Sequence, residues 1–311
     1  MPDGWTVEPN EAGTRLDKFL AHPSRLGSRA RAFTAIERGK VLLNGADATA
    51  DAATRLSAGD DVQLWMDKPG TAKRPLRPGT HGHLDVVFED DRLIVVNKAP
   101  GLLSVPLERK RDVSSVYDLV VDHLRPSGKR KPLVVHRIDQ DTSGLVVFAK
   151  DQAAQDRLKA QFKRREPERV YWAVVYGYPA PPAGLWRDRL VWDTKALIQK
   201  ETHPRDPDGT DALSEYLVIE RFEETSLLEV RLVTGRRNQI RIQARLRGHT
   251  LVGEQRYTYG PELLRPVVFG RHALHARRLA FRHPADDRQL VFDAAAPPDF
   301  SDLLARLRRG R

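Results

Sequence analysis

The sequence predicts an α+β protein: a mixed sheet flanked by a few helices, with a small module of two helices and a hairpin ahead of it. Three observations carry this expectation. From Leu84 to Phe292, many short β-branched runs bounded by polar and turn residues are interleaved with only a few stretches of helical spacing. Residues 68–83 are rich in Pro, Gly, Lys and Arg and have no apolar period, the composition of a linker. The length, 311 residues, suffices for one substantial core and a small second domain. The expected division is therefore a module at 1–67, a linker at 68–83 and a larger domain at 84–311, with no internal repeat.

In the module, Leu16, Phe19 and Leu20 share one helical face, with Thr14 as the candidate N-cap. Ser28 is the candidate cap of a second helix that runs through Ala30, Phe33 and Ile36 to a stop signal at Gly39. Residues 40–45 read as a strand ending in Asn-Gly, which favours a tight hairpin turn, and 61–65 as a second strand. Arg25, Arg29, Arg31, Arg38 and Lys40 make the module basic. A charged helical face with no ligand is the plainer reading of those residues.

Beyond the linker, residues 85–98 read as two strands about an acidic turn, followed by a loop at 99–106. Residues 113–124 place Val116, Leu119, Val120 and Leu124 on one face of an amphipathic helix. The basic tract 125–131 is a solvated loop by default and a phosphate contact by hypothesis. A helix is expected at 153–162 and a strong strand at 169–177. Residues 178–212 are polar and Pro-rich, with a hairpin around 190–197, and strands at 213–221 and 227–232 form a pair. Residues 234–247 mix strand and helix spacing through Ile240, Ile242, Ala244 and Leu246. Strands at 274–281 and 290–292 precede a final helix at 300–307.

Composition narrows the function. Lys and Arg number 52 against 42 Asp and Glu, a formal net charge of +10. That balance favours a polyanionic partner, because Arg and Lys on phosphates release counterions, although a soluble protein can be merely basic. No long apolar run and no basic amphipathic helix points to a membrane. Cysteine is absent, which removes disulfides, thiol nucleophiles and thiolate zinc sites. His81 and His83 form a spaced pair in the linker without further ligands nearby, so no metal site is expected. The N-terminus carries no basic segment followed by an apolar one, so no secretory signal is expected and the cytoplasm is the default compartment.

The chemistry centres on residues 134–150. Apolar runs at 133–135 and 145–149 flank a polar centre that holds His136, Arg137, Asp139, Asp141, Thr142 and Ser143. This reads as a polar loop framed by two core strands, the kind of rigid setting a reactive side chain needs. Asp-Thr-Ser-Gly is also good turn chemistry, so on these residues alone a plain turn stands beside the catalytic reading.

His136-Arg137-Ile138-Asp139 followed by Asp141-Thr142-Ser143-Gly144-Leu145 resembles the signature of the pseudouridine synthases, in the branch called RluA-type that modifies ribosomal and transfer RNA. The likeness is strongest at 84–105, 134–176, 232–260 and 272–284. It implies a largely antiparallel sheet with a central cleft, and isomerisation of uridine to pseudouridine in structured RNA without cofactor or metal. The module at 1–67 similarly resembles the S-four-like RNA-binding module that often precedes this catalytic domain.

By the same resemblance Asp139 is the nucleophile, attacking either the ribose carbon or ring carbon six. A carboxylate suits that duty because its reference pKa, about 3.9, leaves it anionic at neutral pH. Arg241 is its basic partner, expected to hold it with a bidentate guanidinium. Tyr171 would stack on the flipped uracil, its hydroxyl taking part in removal of the proton at ring carbon five. Arg137 would fill the gap left by the flipped base. Arg236, Arg237 and Asn238, with Arg29, Arg31 and Lys40 of the module, are candidate RNA contacts, and His136 is expected to be structural or a phosphate neighbour of the RNA rather than a general base. Ile240, Thr142 and Gly144 are expected to shape the pocket. The family usually reads Thr-Gly-Arg-Thr-His-Gln-Ile-Arg-Val-His where this chain has Thr234 to Gln243, so Arg237, Asn238 and Gln243 depart from it, and the usual Gly-Asp pair is Gly253-Glu254. The competing expectation is an RNA-binding or ribosome-assembly factor that kept the fold and lost the reaction. A hydrolase built on Asp139 and His136 lacks the spacing for an oxyanion hole or a Ser-His pair. A monomer is the default.

Overall fold

The computed structural model describes residues 3–37, 39–47, 52–65, 84–107, 114–125, 131–196, 198–258 and 267–310. The expected linker with His81 and His83, Arg38, and residues 126–130 of the basic tract lie outside the described residues. The chain forms two compact units, 1–81 and 82–311.

The first unit holds strand β1 (Asp3–Thr6), a 3-10 turn at Pro9–Glu11, helices α1 (Leu16–Leu20) and α2 (Arg29–Glu37), and strands β2 (Val41–Leu43), β3 (Ala46–Asp47) and β4 (Asp61–Leu64). Its sheet runs β1-β4-β2-β3. Asn44 and Gly45 both take left-handed backbone (φ 51° and 80°), which is what a two-residue hairpin between β2 and β3 requires. Leu16, Phe19 and Leu20 are buried together with Ile36, Val41 and Val62. The expected Thr14 cap is not formed: Arg15 occupies the N-cap position without a capping side chain, and the helix starts at Leu16. Strand β1 has no apolar alternation in its sequence, Asp-Gly-Trp-Thr, and it is held by its ladder to β4.

The second unit is built on an 11-stranded sheet. Its strands are β5 (Asp85–Glu89), β6 (Leu93–Lys98), β7 (Leu133–Val134), β8 (Ser143–Ala149), β9 (Glu168–Tyr176), β10 (Ala183–Asp193), β11 (Ile198–Glu201), β12 (Thr210–Arg221), β13 (Thr225–Leu232), β14 (Leu274–Arg282) and β15 (Gln289–Asp293). The order is β11-β10-β12-β13-β9-β14-β8-β6-β5, with β15 on β14 and β7 on β8. Every named pairing is antiparallel except β14 with β8. The helices are α3 (Val116–Leu124), α4 (Gln152–Arg164), α5 (Gln239–Leu246) and α6 (Pro298–Arg309).

Strands β6 and β8 are apolar on both faces because each face meets a helix. Ile94, Val96, Val146 and Phe148 pack with Val116, Val120 and Leu124 of α3, while Leu93, Val95, Leu145 and Val147 pack with Ala154 and Leu158 of α4. Each such side chain contributes roughly 1.5–3 kcal/mol, so these strands form a stiff frame for the loop that enters β8. Gly144 makes that frame possible. Its φ is +116°, and a Cβ there would lie 2.2 Å from the Ala276 carbonyl oxygen on β14. The region 178–212 departs from expectation: β10 extends from Ala183 through Asp193, because the prolines lie outside it, at 179, 181 and 182 before the strand and 204 and 207 after the hairpin. The mixed signal at 234–247 resolves into a loop at 234–238 and then α5.

Candidate active site

The loop 135–142 between β7 and β8 is pinned almost residue by residue. Ser104 Oγ accepts from the Ile138 amide (3.0 Å) and donates to the Ile138 carbonyl (2.7 Å). The fully buried Lys98 donates through Nζ to the carbonyls of Gln140 (2.8 Å), Ala99 (2.9 Å) and Leu102 (2.8 Å). Arg271 donates to the Asp141 carbonyl (2.9 Å) while pairing with Asp299 at the start of α6 (2.7 Å). Thr142 Oγ1 shares a hydrogen bond with His272 Nε2 (2.8 Å). A loop tied by so many buried bonds presents its side chains in one geometry.

What it presents is Asp139. Arg241 Nη1 donates to its Oδ2 at 3.1 Å and Asn238 Nδ2 to the same oxygen at 2.6 Å. Among the described residues no donor reaches Oδ1. The expected bidentate hold of Arg241 on Asp139 is corrected: the two-pronged contact goes to Glu254, with Nε at 2.7 Å and Nη2 at 2.6 Å, and Asp139 receives a single bond. The Glu254 side chain is fully buried, whereas that of Asp139 is 25% exposed. Burial works against the Arg241 charge, but the hydrogen bonds and charge of Glu254, with Asp139 beside it, raise its pKa above the ordinary arginine value. Burial likewise pushes Glu254 up, and its bonds to Arg241 outweigh that and hold it below the ordinary carboxylate range.

Asp139, Arg241, Tyr171, Ile240, Thr142, His136, Arg137, Arg236 and Asn238 line one cleft of about 490 Å³, a volume typical of a small-ligand site. Tyr171 lies in strand β9 and is buried, which pushes its hydroxyl up to about 12. It therefore stays a neutral phenol at neutral pH, with stacking and hydrogen bonding open to it. Arg237 lies over the Trp192 ring at 3.9 Å and within the field of Asp139. Arg29, in the first unit, pairs with the buried Asp17 at 2.8 Å; Arg31 is exposed, and Lys40 is half-buried.

Three other expectations narrow or change. His136, expected to be structural or a phosphate neighbour, accepts the Val147 amide on Nε2 (3.1 Å) and stacks on Phe162, and burial pushes its pKa down to about 3. A neutral ring with that nitrogen occupied supports the loop. Asn238, also expected to face RNA, turns its amide onto Asp139 instead. Gly144, expected to shape the pocket, stands behind it as the close-approach point of β8 and β14. Glu254, Lys98 and Tyr257 were not expected at the site at all. The Gly253-Glu254 pair was visible as a variant of Gly-Asp, but nothing local in it says that its carboxylate meets Arg241.

Residues 92–246 match the RNA pseudouridylate synthase family. An uncharacterized RNA pseudouridine synthase of Bacillus subtilis is 32% identical over 307 residues, covering 98% of this chain and 97% of that protein. The ribosomal large subunit pseudouridine synthase D of Zymomonas mobilis is 33% identical over 313 residues, covering 97% of this chain and 96% of its own length. Among solved structures, human RNA pseudouridylate synthase domain containing 4 aligns with a TM-score of 0.58 at 23% identity, over 72% of this chain and 93% of that one, a likeness of fold.

Proposed function

This chain belongs to the RNA pseudouridine synthases, and from that premise we propose that it isomerises uridine to pseudouridine in structured RNA with Asp139 as the nucleophile. The observation that carries the assignment is the asymmetry of that carboxylate. Oδ2 is held by Arg241 and Asn238, and among the described residues no donor reaches Oδ1 of this cleft-lining carboxylate. A base extruded from its stack would enter beside Tyr171, which stacks on it, while Arg137, exposed at the lip, fills the vacated place. Attack by Oδ1 lets the bond from ribose to ring nitrogen break. The ring turns, ring carbon five bonds the ribose carbon, the bond to Oδ1 breaks and frees the carboxylate, and the proton on ring carbon five leaves as the nitrogen gains one, so the product is an isomer and no other reactant is consumed.

Ribosomal RNA is the substrate this reading favours over transfer RNA, because relatives named for the large ribosomal subunit match the chain almost end to end. The net charge of +10 supports a polyanionic substrate. The first unit, with Arg29, Arg31 and Lys40 on its helices and hairpin, serves in this proposal as an S-four-like RNA-binding module, and the protein works in the cytoplasm. The test compares pseudouridine maps of ribosomal and transfer RNA, position by position, from cells with and without the gene. A position lost on deletion and restored by the wild type, but not by Asp139→Asn, is the expected result; restoration by Asp139→Asn overturns the nucleophile assignment.

A further inference from the structure

Asn238 sits where the local rules predict something else. Asparagine is among the preferred N-cap residues, and Asn238 occupies the N-cap position of α5, yet its side chain caps nothing. Its backbone is left-handed (φ 52°, ψ 26°), which aims the side chain away from the helix end. The nearby Gln239 side chain instead accepts the Arg236 amide (2.9 Å) and the Thr234 hydroxyl (2.7 Å). A helix that forgoes a cap at a cleft, with a side chain 8% exposed and bonded elsewhere, has given that residue another task.

The bonds around it form a directed chain. The Gln199 amide of β11 donates to the Tyr257 hydroxyl at 2.8 Å, and that hydroxyl donates to Asn238 Oδ1 at 3.3 Å. Asn238 Nδ2 then donates to Asp139 Oδ2 at 2.6 Å. Each direction is forced. The Asp139 carboxylate only accepts, so the amide must turn its nitrogen toward it. The Tyr257 hydroxyl, engaged by a backbone donor, gives its single proton to the amide oxygen, which blocks the reversed amide. Tyr257 is 2% exposed, which shields that hydroxyl from bulk solvent.

We propose that Asn238 is a positioning residue for the reaction: Tyr257, anchored on the Gln199 amide, locks its side chain nitrogen-first, and the locked amide anchors Asp139 Oδ2 so that Oδ1 alone is presented to the nucleotide. This rests on Asp139 being the nucleophile. It gives a duty to the position where the chain departs from the usual His of its family, and it ties the β10–β11 hairpin, which carries Trp192 beneath Arg237, to the reacting carboxylate.

The test uses the full chain with large-subunit ribosomal RNA transcribed with uridine tritiated at ring carbon five, because that hydrogen is released on turnover. Asn238→Ala should lower kcat about ten- to a hundredfold, the worth of a hydrogen bond to an ionised group, with KM within about twofold. Asn238→His, which keeps a donor, should recover most of the loss, and Asn238→Asp should be worse than Ala. Tyr257→Phe should lower kcat several-fold in the wild-type background and have no further effect in the Asn238→Ala background, since it acts only through the amide. Additive losses from Tyr257→Phe and Asn238→Ala, or a loss carried by KM, overturn the proposal. The side-chain amide signals of Asn238, followed by NMR in the unliganded protein, give a second readout: slow hydrogen exchange that is lost in Tyr257→Phe supports the lock, and exchange unchanged in that variant refutes it. Tritium release by Asp139→Asn would instead sink the nucleophile reading, an outcome distinct from both.

Discussion

Glu254→Gln tests whether Arg241 is held for the reaction by a carboxylate other than the one it serves. The variant keeps the shape of the side chain and removes its charge, leaving an amide group against a guanidinium that can only donate. Glu254 meets Arg241 at 2.6 and 2.7 Å and also accepts the Arg256 amide at 2.8 Å, all without exposure of its side chain. Removing one partner of a buried ion pair costs about 3–5 kcal/mol. The lower end applies here, since Asp139 still faces the guanidinium at 3.1 Å. At about 2–4 °C per kcal/mol for a unit of this size, the unfolding midpoint should fall by about 6–12 °C. The pH dependence has a definite sign. The Glu254 pKa is held below its ordinary value of 4.5, so the pair's contribution is complete above that value and is lost as pH falls through the depressed one. Calorimetry of both proteins should therefore show a wide gap at neutral pH that narrows below about pH 4.5. Turnover should also drop, as the released fork of Arg241 turns onto Asp139 and engages the oxygen that would attack. A midpoint within about 2 °C of wild type, or a gap that persists at low pH, would refute the pairing argument.

Arg169 lines the same cleft, and among the described residues its Nε has no hydrogen-bond partner and no carboxylate pairs with it. Arg169→Met should raise KM for RNA and reduce the salt slope of binding by about one, as loss of one phosphate contact does; an unchanged slope in a filter-binding titration would remove it from the RNA surface. His136→Phe keeps the stack on Phe162 but leaves the Val147 amide unpaired, so it should cost about 1–3 kcal/mol in urea unfolding while the salt slope stays put. Gly144→Ala combines a left-handed strain with a clash against the Ala276 carbonyl, and should cost more than about 3 kcal/mol by the same assay; a stable variant would mean β8 and β14 can part there.

What the sequence made legible was whatever is local. The continuous apolar run of β8, the Asn44-Gly45 turn and the paired strands β5–β6 each carry their signal in neighbouring residues. The pairing of Asp139 with Arg241 was readable through resemblance, since the two stand far apart in the chain. The partners of those two residues were not readable. A guanidinium has two donor edges, and spacing along the chain cannot say which carboxylate takes the fork. Asn238 read as a surface contact because its type is polar and its neighbours are arginines; only a left-handed backbone turns it inward. For His136, residue type alone hides that its ring nitrogen is taken by a backbone amide.

The division of Arg241 between two carboxylates resolves a conflict within the proposed mechanism. A nucleophilic carboxylate must be oriented, and a bidentate arginine would orient it best, but such a fork would occupy both oxygens and draw off the electron density that the attack needs. Placing the fork on Glu254, fully buried and without a part in the attack, fixes the guanidinium rigidly. Its Nη1 then donates to Oδ2 of Asp139 alone, and the Asn238 amide completes the orientation without adding a second positive charge. The trio of Asp139, Glu254 and Arg241 carries two carboxylates and one guanidinium, so Arg241 by itself does not neutralise Asp139. Asp139 is also the more exposed of the two carboxylates, which lets the attacking oxygen reach a nucleotide while its partner cannot leave the protein interior.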